Sequence, residues 1–219
     1  MDLTGLIDHT CLHADAGKEN ILGLCHDAVN YGFYSVCVPP CWVSEAKKCL
    51  QGEKPLVVSV VGFPLGFSST TVKVFEAENT LADGADELDM VINIGALKEK
   101  RTDYVGREIE AVLSILPNGA VLKVIIETAL LNHREKISAV QTAVEAGAHF
   151  IKTSTGYGPS GALVEDIKLI RSIANGRAGI KAAGGIRTAD QALALIQAGA
   201  SRLGCSSSVK ILREYMRLR

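Results

Sequence analysis

The sequence has no strong excess of either charge: 23 Lys and Arg stand against 24 Asp and Glu, a formal net charge of −1. No basic cluster offsets that balance, so there is no electrostatic footprint for nucleic acid. No apolar run reaches the ~20 residues that a membrane-spanning helix needs. Met1 leads straight into Asp2-Leu3-Thr4, without a basic start or an apolar secretion segment, so a cytoplasmic protein with no membrane partner is expected. The six cysteines (Cys11, Cys25, Cys37, Cys41, Cys49 and Cys205) form no C-x-x-C pair, which favours reduced core or surface thiols over a disulfide framework. The five histidines form no H-E-x-x-H or comparable set, so no metal site is expected.

What is present is a soluble composition, 47% hydrophobic and 21% charged over 219 residues, with material for a sizeable core. One pattern recurs: an amphipathic stretch, a glycine stop, then a short apolar run. Tyr31-Gly32, Asp83-Gly84-Ala85, Ala146-Gly147-Ala148 and Ala198-Gly199-Ala200 each precede such a run. Glycine just past a helix takes the left-handed conformation without a Cβ clash, so the pattern spells βα units. Eight strands are predicted near 3–8, 34–38, 56–61, 87–92, 121–126, 150–153, 179–182 and 202–204. Asn132-x-x-Glu135 and Thr188-x-x-Gln191 resemble capping boxes at helix starts. With no linker or low-complexity break, residues 1–219 read as one domain, a compact (β/α)8 TIM barrel. An open doubly wound sheet is the alternative.

Three of these strands carry a lysine inside an apolar run: Lys123, Lys152 and Lys181. The strand before them carries Asp89, with Glu87 and Val91 on the same face. Alternate strand residues point into a barrel, and active groups gather at the strands' C-terminal ends. One such lysine is readily explained by a self-satisfying ion pair. Several like charges on adjacent strands are costly to bury unless their repulsion is used. A second cation and partial desolvation free a lysine amine to attack a carbonyl. Lys152 beside Lys181 fits that need, with Asp89 moving protons. Ala182-Ala183-Gly184-Gly185-Ile186 and Cys205-Ser206-Ser207-Ser208 follow the last two strands, where barrels often hold phosphate on free amides and a helix start. Gly156-Tyr157-Gly158-Pro159-Ser160-Gly161 matches G-x-G-x-x-G, but no acid stands about twenty residues later. The loop is therefore read as bending around a small substrate, without NAD.

The chain resembles the deoxyribose-phosphate aldolases, class I (Schiff-base) aldolases with a barrel fold. The resemblance runs from Ile7-Asp8-His9-Thr10 almost to the C-terminus, through Ser35-Val36-Cys37-Val38-Pro39, Val61-Gly62-Phe63-Pro64-Leu65-Gly66, Glu87-Leu88-Asp89-Met90-Val91-Ile92-Asn93 and Leu122-Lys123-Val124-Ile125-Ile126-Glu127-Thr128. Its strongest blocks are Phe150-Ile151-Lys152-Thr153-Ser154-Thr155-Gly156 and Ile180-Lys181-Ala182-Ala183-Gly184-Gly185-Ile186-Arg187. It implies reversible cleavage of 2-deoxy-D-ribose 5-phosphate to acetaldehyde and D-glyceraldehyde 3-phosphate, in deoxyribonucleotide breakdown, with no cofactor or metal. Lys152 would form the Schiff base, assisted by Asp89 and Lys181. Lys123, Thr155, Gly184, Gly185, Ser206 and Ser207 would bind substrate. A homo-oligomer, preferably a dimer, is implied as well.

His13 stands where the family usually has lysine, Ser160 and Ser208 where it has glycine, and Cys205 where it has threonine. The last two fall in the phosphate loop and bear on affinity. Cys37 is either a thiol facing the site or a packed one. The competing readings are another Schiff-base barrel, such as a transaldolase or fructose-bisphosphate aldolase, and a phosphosugar-binding barrel without turnover.

Overall fold

The computed structural model describes residues 2–218. Eight parallel strands close into a barrel in sequence order: β1 (Ile7–Thr10), β2 (Ser35–Cys37), β3 (Leu56–Val61), β4 (Glu87–Val91), β5 (Val121–Ile125), β6 (Phe150–Lys152), β7 (Gly179–Ala183) and β8 (Arg202–Cys205). The last strand pairs with the first, Ile7 opposite Leu203 and Asp8 opposite Gly204. That closure is the expected (β/α)8 barrel and removes the open-sheet alternative. Around it run α1 (Lys18–Tyr31), α2 (Val43–Cys49), α3 (Thr70–Ala82), α4 (Ile94–Lys98), α5 (Thr102–Leu113), α6 (His133–Glu145), α7 (Val164–Ala174), α8 (Ala189–Ala198) and α9 (Ser208–Arg217). No described helix is long and apolar enough to cross a membrane.

Strand alternation divides the interior into two environments. On β4, Leu88 and Met90 join the main apolar cluster beneath the helices, as do Leu122 and Val124 on β5. The residues between them, Glu87, Asp89 and Lys123, pair with one another inside the barrel. Helix-facing burial supplies the stability, at about 1.5–3 kcal/mol per large aliphatic side chain, and leaves the inner face free for charge.

Local chemistry sets the element ends. Asn132 Oδ1 accepts from Glu135 N–H at 3.0 Å while Glu135 Oε2 accepts from Asn132 N–H at 2.8 Å, a closed capping box on α6. At α8 Thr188 caps Gln191 N–H at 3.3 Å, but Gln191 Oε1 reaches one residue further back, to Arg187 N–H at 2.9 Å. The first strand begins later than its apolar residues suggest. Asp2 Oδ1 accepts from Thr4 N–H at 3.1 Å and Thr4 Oγ1 at 2.7 Å, drawing Thr4–Leu6 into a 3-10 turn. The strand proper then starts at Ile7, which puts Asp8 in its interior.

A second buried ion pair lies outside the barrel wall. Lys73 of α3 is 2.7 Å from Glu108 Oε2 of α5 and donates to Val91 O at 2.8 Å. Glu108 Oε1 accepts from Asn93 N–H at 2.6 Å. Both side chains are sealed from solvent, so the pair ties two helices to the end of β4.

Candidate active site

Six strands contribute charged side chains to the barrel interior: Asp8 from β1, Glu87 and Asp89 from β4, Lys123 from β5, Lys152 from β6, Lys181 from β7 and Arg202 from β8. Asp89 is the hub. Its Oδ1 accepts from Lys123 Nζ at 2.9 Å, and its Oδ2 accepts from both Lys152 Nζ at 2.8 Å and Lys181 Nζ at 2.7 Å. Lys181 Nζ also lies 2.5 Å from Asp8 Oδ2, and Lys123 Nζ lies 2.5 Å from Glu87 Oε2. Arg202 Nη1 bridges Asp8 Oδ1 at 2.9 Å and Glu87 Oε2 at 3.4 Å, with its guanidinium 3.4 Å above the Tyr34 ring. Ser35 Oγ donates to Asp8 Oδ1 at 2.7 Å, and the Tyr34 hydroxyl donates to Glu87 Oε1 at 3.1 Å.

Burial alone would raise the Asp89 pKa, but the ammonium groups of Lys123, Lys152 and Lys181 outweigh it and hold the carboxyl well below its usual range. Asp8 is likewise lowered, with Lys181, Lys123 and Arg202 overcoming burial. Burial would discharge Lys181, yet Asp8 and Asp89 hold its pKa above the ordinary lysine value. Lys123 is raised for the same reason. Three carboxylates thus face three cations, Lys123, Lys181 and Arg202, and the charges balance without Lys152.

Lys152 is also the one of these lysines that reaches open space. It lines a cavity of about 300 Å³ at the C-terminal rim, together with Thr155, Gly184, Gly185 and Ser206. Asp89, Lys181 and Lys123 stand behind it, fully buried. Ser207 lines an adjoining surface groove with His9 and Lys210 instead. Gly184 and Gly185 have φ of 87° and 73°, and a Cβ on Gly161 would sit 2.0 Å from Gly184 O. The loop after β6 therefore packs backbone to backbone on the loop after β7 at Gly161, which leaves no room for a side chain there.

Among the departures from the family pattern, His13 lines the cavity, as does Cys205. Ser208 is spent internally: its hydroxyl donates to Cys205 O at 2.9 Å and lies 3.0 Å from His9 Nδ1. Cys37 is sealed beside Val58 and Val60, where burial pushes its thiol up to about 11. It is a packed thiol and not a thiolate nucleophile.

Sequence reasoning assigned no role to Asp8, Arg202 or Glu127, and none to Arg187, which also lines the cavity. An acid in Ile7-Asp8-His9-Thr10 and an arginine opening β8 were visible anomalies. Their pairing crosses the β8–β1 seam, which only closure reveals.

A closed parallel barrel whose C-terminal rim opens into a lysine-floored cavity belongs to the (β/α)8 barrel enzymes. The sequence matches the model of the DeoC/LacD family aldolases over residues 3–214. It is 56% identical to the deoxyribose-phosphate aldolase of Thermococcus gammatolerans, across 97% of this chain and 96% of that one. Identity to the Thermococcus kodakarensis deoxyribose-phosphate aldolase is 53%, across 96% of both. The solved deoxyribose phosphate aldolase of Aeropyrum pernix, described as a unique tetrameric structure, superposes with a TM-score of 0.92 at 33% identity, covering 99% of this chain and 92% of that one. The chain belongs to the DeoC/LacD family aldolases and is a carbon–carbon lyase.

Proposed function

We propose that this aldolase reversibly cleaves 2-deoxy-D-ribose 5-phosphate to acetaldehyde and D-glyceraldehyde 3-phosphate, with Lys152 as its Schiff-base lysine. The observation that carries the assignment is the position of Lys152: the surplus cation of a balanced interior, and the lysine of that set that lines the cavity. Its amine adds to C1 of the open-chain sugar to give a carbinolamine. Asp89 Oδ2, 2.8 Å from Lys152 Nζ, relays the protons that leave the Lys152 nitrogen to the oxygen that departs as water, while the Lys181 ammonium on the same Asp89 oxygen stays charged and disfavours a proton on Lys152. Loss of water leaves an iminium. Removal of the C3 hydroxyl proton then breaks the C2–C3 bond: C3 leaves as the aldehyde carbon of glyceraldehyde 3-phosphate, and the electron pair passes to the enamine on Lys152. Protonation at C2 and hydrolysis release acetaldehyde and regenerate the amine. The enamine is itself the carbon nucleophile in the synthetic direction, so the scheme calls on no metal or organic cofactor.

Gly184, Gly185, Ser206 and Ser207 supply the phosphate-binding loops of this scheme, with Arg187 adding charge at the same rim, while Thr155 contacts the sugar and Lys123 holds Asp89 in place. We read residues 1–219 as one catalytic domain acting in the cytoplasm, and the chain as a homo-oligomer, a dimer. The tetrameric Aeropyrum pernix relative and the exposed apolar side chains of Leu65, Phe67, Val72 and Phe75 support association. Turnover decides the chemistry. The wild type is expected to make 2-deoxyribose 5-phosphate from acetaldehyde and glyceraldehyde 3-phosphate but to reject ketose-derived donors, and Lys152→Met to abolish turnover. Preference for a ketose donor would move the chain to another Schiff-base aldolase, and absence of turnover would favour a binding barrel.

A further inference from the structure

One buried carboxylate beside the cavity has no place in that scheme. Glu127 lies two residues past β5, is 2% exposed, and has its backbone in the left-handed region at φ 49°. Lys100 and Asn175 are the other described non-glycine residues with positive φ, and Glu127 is the buried one of the three. A side chain with a Cβ pays conformational energy there, and such strain persists where the surroundings impose it. The surroundings here are the loop after β6. Glu127 Oε2 accepts from the Thr155 backbone N–H at 3.1 Å and from Thr155 Oγ1. Thr155 Oγ1 accepts in turn from Tyr157 N–H at 3.0 Å. The same loop closes over the carboxylate at Gly158, where an added Cβ would come within 2.9 Å of Glu127 Oε1.

A hydroxyl has one hydrogen and two lone pairs. In Thr155 the hydrogen is committed to Glu127 and one lone pair to Tyr157. One lone pair remains, on a side chain that shares the cavity lining with Lys152. Towards a ligand, Thr155 can only accept. The carbonyl oxygen and phosphate of a phosphorylated hydroxyaldehyde also only accept, which leaves its hydroxyl as the group able to donate. We propose that Glu127 is a positioning residue that fixes Thr155 as an acceptor-only contact for the 2-hydroxyl of the acceptor aldehyde, so that the pair selects 2-hydroxyaldehydes over their 2-deoxy counterparts. The inference rests on the cavity being the aldol site.

The test compares D-glyceraldehyde with 3-hydroxypropanal, which differ in the 2-hydroxyl, as acceptors for acetaldehyde. The readout is the ratio of their kcat/KM values, with borohydride trapping of acetaldehyde on Lys152 run alongside for each variant. The wild type is expected to favour glyceraldehyde about tenfold, the value of one well-made hydrogen bond. Thr155→Val and Glu127→Leu are expected to bring the ratio to within about twofold while trapping continues. Glu127→Gln, whose amide oxygen still accepts from Thr155, keeps the wild-type ratio. General damage to the loop lowers both rates and leaves the ratio alone. A preference retained in Thr155→Val or Glu127→Leu, lost in Glu127→Gln, or absent from the wild type overturns the inference. If Glu127→Leu does not fold, Thr155→Val and Glu127→Gln decide. Failure to trap any imine in the wild type removes the aldol reading, and this inference with it.

Discussion

Lys152 and Lys181 share one oxygen of Asp89 at nearly equal distances, 2.8 and 2.7 Å, yet the two positions are not equivalent. Lys181 is also clamped by Asp8 and reaches no solvent. With its pKa raised by those two carboxylates and theirs lowered, all three are charged in the resting site. Lys181 is therefore a fixed cation, and Lys152 the group free to react. Replacing Lys181 with leucine leaves Asp8 and Asp89 facing Lys152 with one cation fewer, so a proton on Lys152 is held to higher pH. Lys181→Leu is expected to lower kcat at pH 7 by about 100-fold or more and to move the pH–rate profile towards alkaline pH, while KM changes little. A variant whose profile keeps its shape would refute this role. The lysines and Asp89 were legible in the sequence because a charge inside an apolar run recurs on four consecutive strands, where a single one would have been explained by an ion pair. Asp8 was assigned no role because its partners, Lys181 and Arg202, lie across the chain's far end. Thr155 was named, but the carboxylate that orients its hydroxyl was not.

The helices show a different limit. Lys73 sits on α3, an amphipathic helix on which a lysine reads as a solvated face. Only the packing of α5 over α3 seals it against Glu108. Burial pushes the Lys73 pKa down and the Glu108 pKa up, and the contact between them opposes both shifts. Removing one partner strands the other in a dry interface. Lys73→Met is expected to cost about 3–5 kcal/mol, lowering the thermal midpoint by roughly 10 °C. Lys73→Met/Glu108→Gln should regain part of that loss. Urea or thermal unfolding measures both, and a single variant within about 1 kcal/mol of wild type would show that the pair contributes little. Element starts were legible where a local motif closes on itself, as at Asn132 and Glu135. They were displaced where a side chain competes with the strand, as Asp2 does at Thr4.

Over the whole barrel, glycine-punctuated βα repeats were enough to announce eight strands, because each unit must stop a helix before it can start a strand. Closure and register were not legible locally. They bring Asp8 and Arg202 round to join Glu87, Asp89, Lys123 and Lys181, and so turn a row of buried lysines into a nearly neutral interior with one reactive amine at its edge. The assignment of Lys152 thus depends on the assembled barrel, and it can be read out on the intact protein. Incubation with acetaldehyde and borohydride, followed by peptide mapping in a mass spectrometer, is expected to place one ethyl group on Lys152 and to leave Lys123 and Lys181 unmodified. A reduced adduct on another lysine, or no adduct while the protein remains folded, would contradict it.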